Sequence, residues 1–183
     1  MIANARQLEL LFEQVFLSHW HTRLLGGAAE PEYYPSKQGL AEIHYRADYV
    51  RSALHEVAHW CIAGTERRKQ HDYGYWYQPD GRSADQQKEF FRVELKPQAL
   101  EWVFSLAAGV RFEPSLDNLG GNAGLNGETT VSFSRKLAER VDWLLQGHLN
   151  QRSLLWVSVL LGREGATEAE IYGLLRQRKS GVT

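Results

Sequence analysis

A single cysteine, Cys61, stands among 183 residues. One thiol excludes an intrachain disulfide and any zinc cluster built from cysteines. Long apolar runs are missing too, and none reaches the roughly 18 residues that a membrane-spanning helix needs. No segment has the pattern of a secretory signal peptide, so the expected location is the cytoplasm, with no membrane partner. Charge of one sign is also lacking. With 21 Lys and Arg against 22 Asp and Glu, the net charge is −1. The isoelectric point is near 6.7, so no global field directs the chain to nucleic acid or lipid. Arg67-Arg68-Lys69, the longest basic cluster, reads as a solvated helix exit. No repeat or low-complexity tract appears. At 43% hydrophobic, the chain can bury a proper core as one domain spanning residues 1–183.

What the chain does have is His55-Glu56-Val57-Ala58-His59. On a helix, residues i and i+4 share a face with Cβ atoms about 5–6 Å apart, so both imidazoles can reach one metal ion. Glu56 lies about a third of a turn from His55, near enough to touch a metal-bound water but poorly aimed for ligation. Ala53, Leu54, Trp60, Cys61, Ile62 and Ala63 make the flanks apolar. Polar groups left unpaired there would cost several kcal/mol each, about 2–7 by transfer measures, and coordination removes most of that cost.

The remaining elements follow from periodicity and punctuation. A first helix is predicted from Asn4, its N-cap, to Leu25, closed by Gly26-Gly27, with Leu8, Leu11, Phe12, Val15 and Phe16 on its core face. His19 and His21 read as surface residues at its end. Residues 28–39, with Pro31 and Pro35, read as loop. Ala41–Arg46 alternates and predicts a short strand, burying Ala41, Ile43 and Tyr45. Asp48 is expected to cap the metal helix, which ends near Gly64. Ser83-Ala84-Asp85-Gln86 is a capping box for a helix toward Gly109 that Pro97 should kink or restart. Residues 111–130 read as a functional or mobile loop. Three helices should follow, opened by Ser132 or Ser134, by Asn150 and by Thr167, with His148 in a loop and not a ligand. The fold class is α+β, mainly helical with a small sheet.

A third ligand is harder to place. Glu94 sits beside the Pro97 break in apolar surroundings, 35 residues beyond His59 in the chain. Glu101, Glu89 and Asp72 are its rivals. The run Asp72-Tyr73-Gly74-Tyr75-Trp76-Tyr77 and the turn at Pro79-Asp80-Gly81-Arg82 either form an aromatic strand or wall a pocket. Two histidines, a carboxylate and an open position support hydrolysis with zinc or oxygenation with Fe(II). The signatures that usually extend the motif in zinc peptidases are missing after His59, so the short motif does not choose between them.

Three blocks together are more specific. The segments His55–Gly64, Asp72–Arg82 and Val93–Leu100, with Asp117-Asn118-Leu119, resemble the bacterial elongation factor P hydroxylase family over most of residues 8–145. The resemblance implies a cytosolic non-heme Fe(II) enzyme that uses dioxygen to add one oxygen atom to a lysine of elongation factor P. That lysine already carries β-lysine, and no nucleic acid is expected as a direct partner. The implied fold is similar to a bacterial metal-dependent endoribonuclease fold. The family's ligand motif carries over onto His55, His59 and Glu94, with Glu56 as a catalytic group that does not ligate. Asp72, Tyr75, Trp76, Asp80 and Asp117 are the candidate contacts for a long, cationic substrate, because rings and carboxylates suit an ammonium group. A zinc hydrolase, either peptidase or ribonuclease, is the alternative, and a metal-stabilised binding module of the translation apparatus is a third reading.

Overall fold

Asn4 accepts the backbone N–H of Gln7 at 3.0 Å and so starts helix α1, Ala5–Trp20. We describe a computed structural model, and the residues it describes are 2, 4–36, 39–71, 83–115 and 127–181. Leu8, Phe12 and Phe16 of α1 are fully buried. Each such side chain contributes roughly 1.5–3 kcal/mol, against a few tenths for helix propensity, so burial is what holds this helix. The helix is shorter than its sequence pattern predicts. His21 turns into the left-handed region at φ 46°, and the chain continues as strand β1, Thr22–Ala28. Thr22 and Leu24 are buried there while Arg23 and Leu25 are half-buried, the alternation of a strand.

Strand β1 pairs in parallel with β3, Ala41–Arg46, and the short strand β2, Glu32–Tyr34, pairs antiparallel on the other side of β3. The strand of residues 41–46 matches its prediction, with Ala41, Ile43 and Tyr45 buried. β2 was not foreseen within the predicted 28–39 loop; its three residues are stabilised by their partner rather than by any pattern of their own. Near the sheet's end, Glu9 of α1 accepts from the Tyr45 hydroxyl and the Gly26 N–H, both at 2.8 Å. The packing is close: a Cβ on Gly26 would stand 2.6 Å from the Tyr45 hydroxyl oxygen.

Helix α2, Val50–Ile62, carries both histidines of the motif and packs on β3 and on helix α3, Ala84–Ala108. Its N-cap is Tyr49, without a side-chain cap, so the expected Asp48 cap is absent. Ser52 instead accepts the N–H of Arg46 at 3.0 Å and ties the turn down. α3 begins at the predicted Ser83–Gln86 capping box and ends at Gly109. It runs through Pro97 without a restart, although Pro97 has no N–H for the Val93 carbonyl. Phe90 and Phe91 before the proline and Ala99, Leu100, Val103 and Phe104 after it are all buried, and this packing keeps both halves in one helix.

Helix α4, Gly127–Leu144, starts before the predicted Ser132 or Ser134, so its first turns lie in what the sequence suggests is loop. Helices α5, Gln151–Leu160, and α6, Glu168–Ser180, begin at Asn150 and at the Thr167 capping box as predicted. His148 stacks on Trp143. α3 touches α2, α4, α5 and α6, and an aromatic group of Phe12, Phe16, Trp60 and Trp156 joins α1, α2 and α5.

The last carbonyls of α2 are taken up from elsewhere in the chain. The Cys61 carbonyl accepts from Asn150 and Arg152, both at 2.9 Å, and that of Ala63 from Arg152 at 2.7 Å. Arg68 of the basic cluster also donates to Ala63, so one of its three cations serves the helix exit. Positive charge at a helix C-terminus interacts favourably with the negative end of the macrodipole. Arg178 of α6 does the same for α3, donating to Leu106 and Ala107. Among the described residues no helix is long and apolar enough to cross a membrane.

Candidate metal centre

Helical spacing on α2 brings the Nε2 atoms of His55 and His59 to 2.9 Å from each other. Glu94, projecting from the neighbouring α3, is 2% exposed. Its Oε2 lies 3.5 Å from His55 Nε2 and its Oε1 3.5 Å from His59 Nε2. Ligand atoms about 2.1 Å from one ion stand about 3.0 Å apart at a right angle and about 3.4 Å apart at a tetrahedral angle. The three side chains are thus spaced as ligands of one ion would be, and they could hold a metal.

Two observations test that fit. Among the described residues, the buried Oε1 of Glu94 has no hydrogen-bond partner, and a buried carboxylate left uncompensated is strongly destabilising. The two imidazole nitrogens at 2.9 Å would oppose lone pairs unless a proton or a cation lies between them. A cation bound to all three groups answers both. Two nitrogens and a carboxylate oxygen suit zinc or iron.

Without a metal, protons carry the compensation. Burial disfavours charge on His55, but Glu94 and Glu101 outweigh it and lift the imidazole to about 10. Burial likewise works against the Glu94 anion, yet the facing His55 and His59 hold its carboxyl down at about 2. Glu101 has a separate place. Its Oε2 is 2.8 Å from Nδ1 of His55, on the side of the ring away from Glu94, where it fixes which nitrogen carries hydrogen.

The rivals for the third position are therefore sorted by position. Glu101 stands behind His55, Glu89 is exposed and paired with Arg92, and Asp72 lies outside the described residues. Glu56, beside His55 on α2, is half-buried and adds its charge to those that lift His55. It is not one of the three converging side chains. Asp72, Tyr75, Trp76, Asp80 and Asp117 all lie outside the described residues. Sequence reasoning named Glu101 only as a rival ligand. The signal was present, since Glu94, Gln98 and Glu101 at i, i+4 and i+7 put a polar stripe on one face of α3, and all three are buried.

Fold and site together define a mainly helical α+β protein with a candidate two-histidine, one-carboxylate metal centre. Residues 11–169 match the model of the family described as elongation factor P hydroxylase. The chain is also 44% identical over 145 residues to the elongation factor P lysine hydroxylase of Haemophilus influenzae, covering 78% of this chain and 79% of that protein. The chain belongs to the elongation factor P hydroxylase family.

Proposed function

We propose that this chain is an Fe(II)-dependent hydroxylase that adds one oxygen atom from dioxygen to the β-lysylated lysine of elongation factor P, working in the cytoplasm as one domain over residues 1–183. The observation that carries the reading is the approach of His55, His59 and buried Glu94 within 3.5 Å of one another in a chain of this family. Bound there, ferrous iron would supply dioxygen activation and leave coordination positions open for it.

The residues divide the work. His55, His59 and Glu94 hold the ion. Glu101 orients His55 through Nδ1. Glu56 handles protons beside the ligands without joining them. Asp72, Tyr75, Trp76, Asp80 and Asp117 receive the cationic side chain, where a ring over an ammonium group contributes about 0.5–2 kcal/mol. The β-lysyl extension supplies binding energy remote from the reacting carbon, which positions that carbon for attack.

The test is incubation of the protein with Fe(II), dioxygen, a reductant and elongation factor P in its β-lysylated and unmodified forms. The β-lysylated factor should gain the mass of one oxygen atom, and the unmodified factor should react poorly. Charge reversal at Asp72 or Asp80 should weaken substrate use without removing the metal. The presence of Glu56 directly after His55 favours a second reading, a zinc hydrolase on an endoribonuclease-like fold. A cut peptide bond or RNA, with no oxygen gained, would select it.

A further inference from the structure

Residues 113–115 are fastened to both helices that carry the candidate ligands. From α2, Arg51 donates Nη1 to Glu113 Oε2 at 3.2 Å and Nη2 to the Glu113 carbonyl. From α3, Gln98 accepts the Ser115 N–H on Oε1 and donates Nε2 to the Ser115 carbonyl, both at 3.0 Å. Arg51 stands one helical turn before His55, and Gln98 one turn after Glu94. The two clasps differ in kind. The Arg51 contact is exposed, whereas Gln98 is fully buried at 0% exposure.

Gln98 also makes a third contact, from Nε2 to Oε2 of Glu94 at 3.4 Å. A side-chain amide has an acceptor at one end and a two-hydrogen donor at the other. The Ser115 backbone settles which end is which, because its N–H must meet Oε1 and its carbonyl must meet Nε2. The amide cannot turn over without breaking both bonds inside the core. What it presents to Glu94 is therefore always a donor, aimed at the same oxygen that faces His55. The contact is long, so its effect is on orientation more than on binding energy.

We propose that Gln98 is a positioning residue that ties the carboxylate of Glu94 to the backbone of Ser115, so that filling of the metal site and placement of residues 113–115 change together. The proposal rests on the reading of His55, His59 and Glu94 as metal ligands. A purely structural glutamine would need only its two bonds to Ser115. The third bond makes the loop's anchor and the ligand's orienting partner one side chain.

The experiment uses Co(II) as a coloured probe, titrated into metal-free full-length protein, with hydrogen exchange read at the Ser115 amide. In the unaltered protein Co(II) should bind and slow exchange at Ser115. Gln98→Met, close in volume but without the amide, should bind Co(II) about ten- to hundredfold more weakly. Its absorption bands should shift, and exchange at Ser115 should no longer respond to Co(II). Gln98→Glu, which sets an anion against Glu94, should weaken Co(II) at least as much and gives the same readout should the methionine variant fail to fold. Arg51→Met, which opens the other clasp, should keep the original Co(II) affinity. Unchanged Co(II) affinity and an unchanged Ser115 response in both Gln98 variants overturn the proposal. If the unaltered protein binds no Co(II), or His55→Ala binds it equally well, the ligand reading itself is what fails.

Discussion

The carboxylate of Glu101 sits 2.8 Å from Nδ1 of His55, behind the ring whose Nε2 faces Glu94 and His59. Histidines that ligate metals nearly always have such a partner on the other nitrogen, and losing it typically lowers metal affinity ten- to hundredfold. Glu101→Ala should therefore weaken metal binding by about that factor while leaving all three ligands in place. A metal titration checks this, and unchanged affinity would show that the contact does not orient His55.

His55→Ala, His59→Ala and Glu94→Ala should each lose the metal on elemental analysis. Glu56→Gln should keep it and lose part of its turnover. A Glu56 variant that loses the metal, beside a Glu94 variant that keeps it, would mean the two carboxylates have exchanged roles. Zinc in the purified protein would not count against iron, since zinc outcompetes Fe(II) at sites of this kind.

Metal uptake should release a proton. In the metal-free site His55 titrates at about 10, so it is protonated at neutral pH, whereas a metal binds neutral imidazole. Below that value, affinity should accordingly increase about tenfold for each unit by which the pH is raised. Calorimetric titrations in buffers of different protonation enthalpy measure the proton count. A count of zero, with affinity independent of pH, would contradict the arrangement of His55 between two carboxylates.

Glu9 should matter for stability against acid. Burial works to raise its pKa, but Arg6, the Tyr45 hydroxyl and the Gly26 N–H together hold it below the ordinary 4.5. A depressed carboxylate stabilises the fold above its unfolded pKa, and that contribution disappears as pH falls through the folded value. Glu9→Gln should lose about 1.5–3 kcal/mol in urea unfolding at neutral pH. The gap from the unaltered protein should shrink in acid, and a gap that widens there would show that the carboxylate is not the stabilising form.

The elements written in local chemistry were legible in the sequence. Capping at Ser83, Asn150 and Thr167 depends on residues three positions apart, and the i, i+4 histidines need only a helix. The elements decided by distant partners were not. Leu24 and Leu25 continue the apolar spacing of α1, and only pairing with Ile43 and His44 makes them strand. Pro97 carries a local signal to break, which the packing of α3 against four other helices overrides. At the site, the histidine pair was legible from spacing. The choice of Glu94 over Glu101 was not, since both lie on one face of α3 and only the placement of α2 decides which nitrogen of His55 each one meets.

The carbonyls that Asn150 and Arg152 satisfy at Cys61 and Ala63 belong to the helix bearing His55 and His59. The tail thus acts as a doorstop for the helix of the two histidines, though none of its described residues is among the candidate ligands. A chain cut just before Asn150 would retain every candidate ligand and still lose the brace that keeps two of them facing the third. Natural variation that spares the histidines but alters Asn150 or Arg152 would disable the centre from a distance, and a comparison restricted to the ligands would not reveal why.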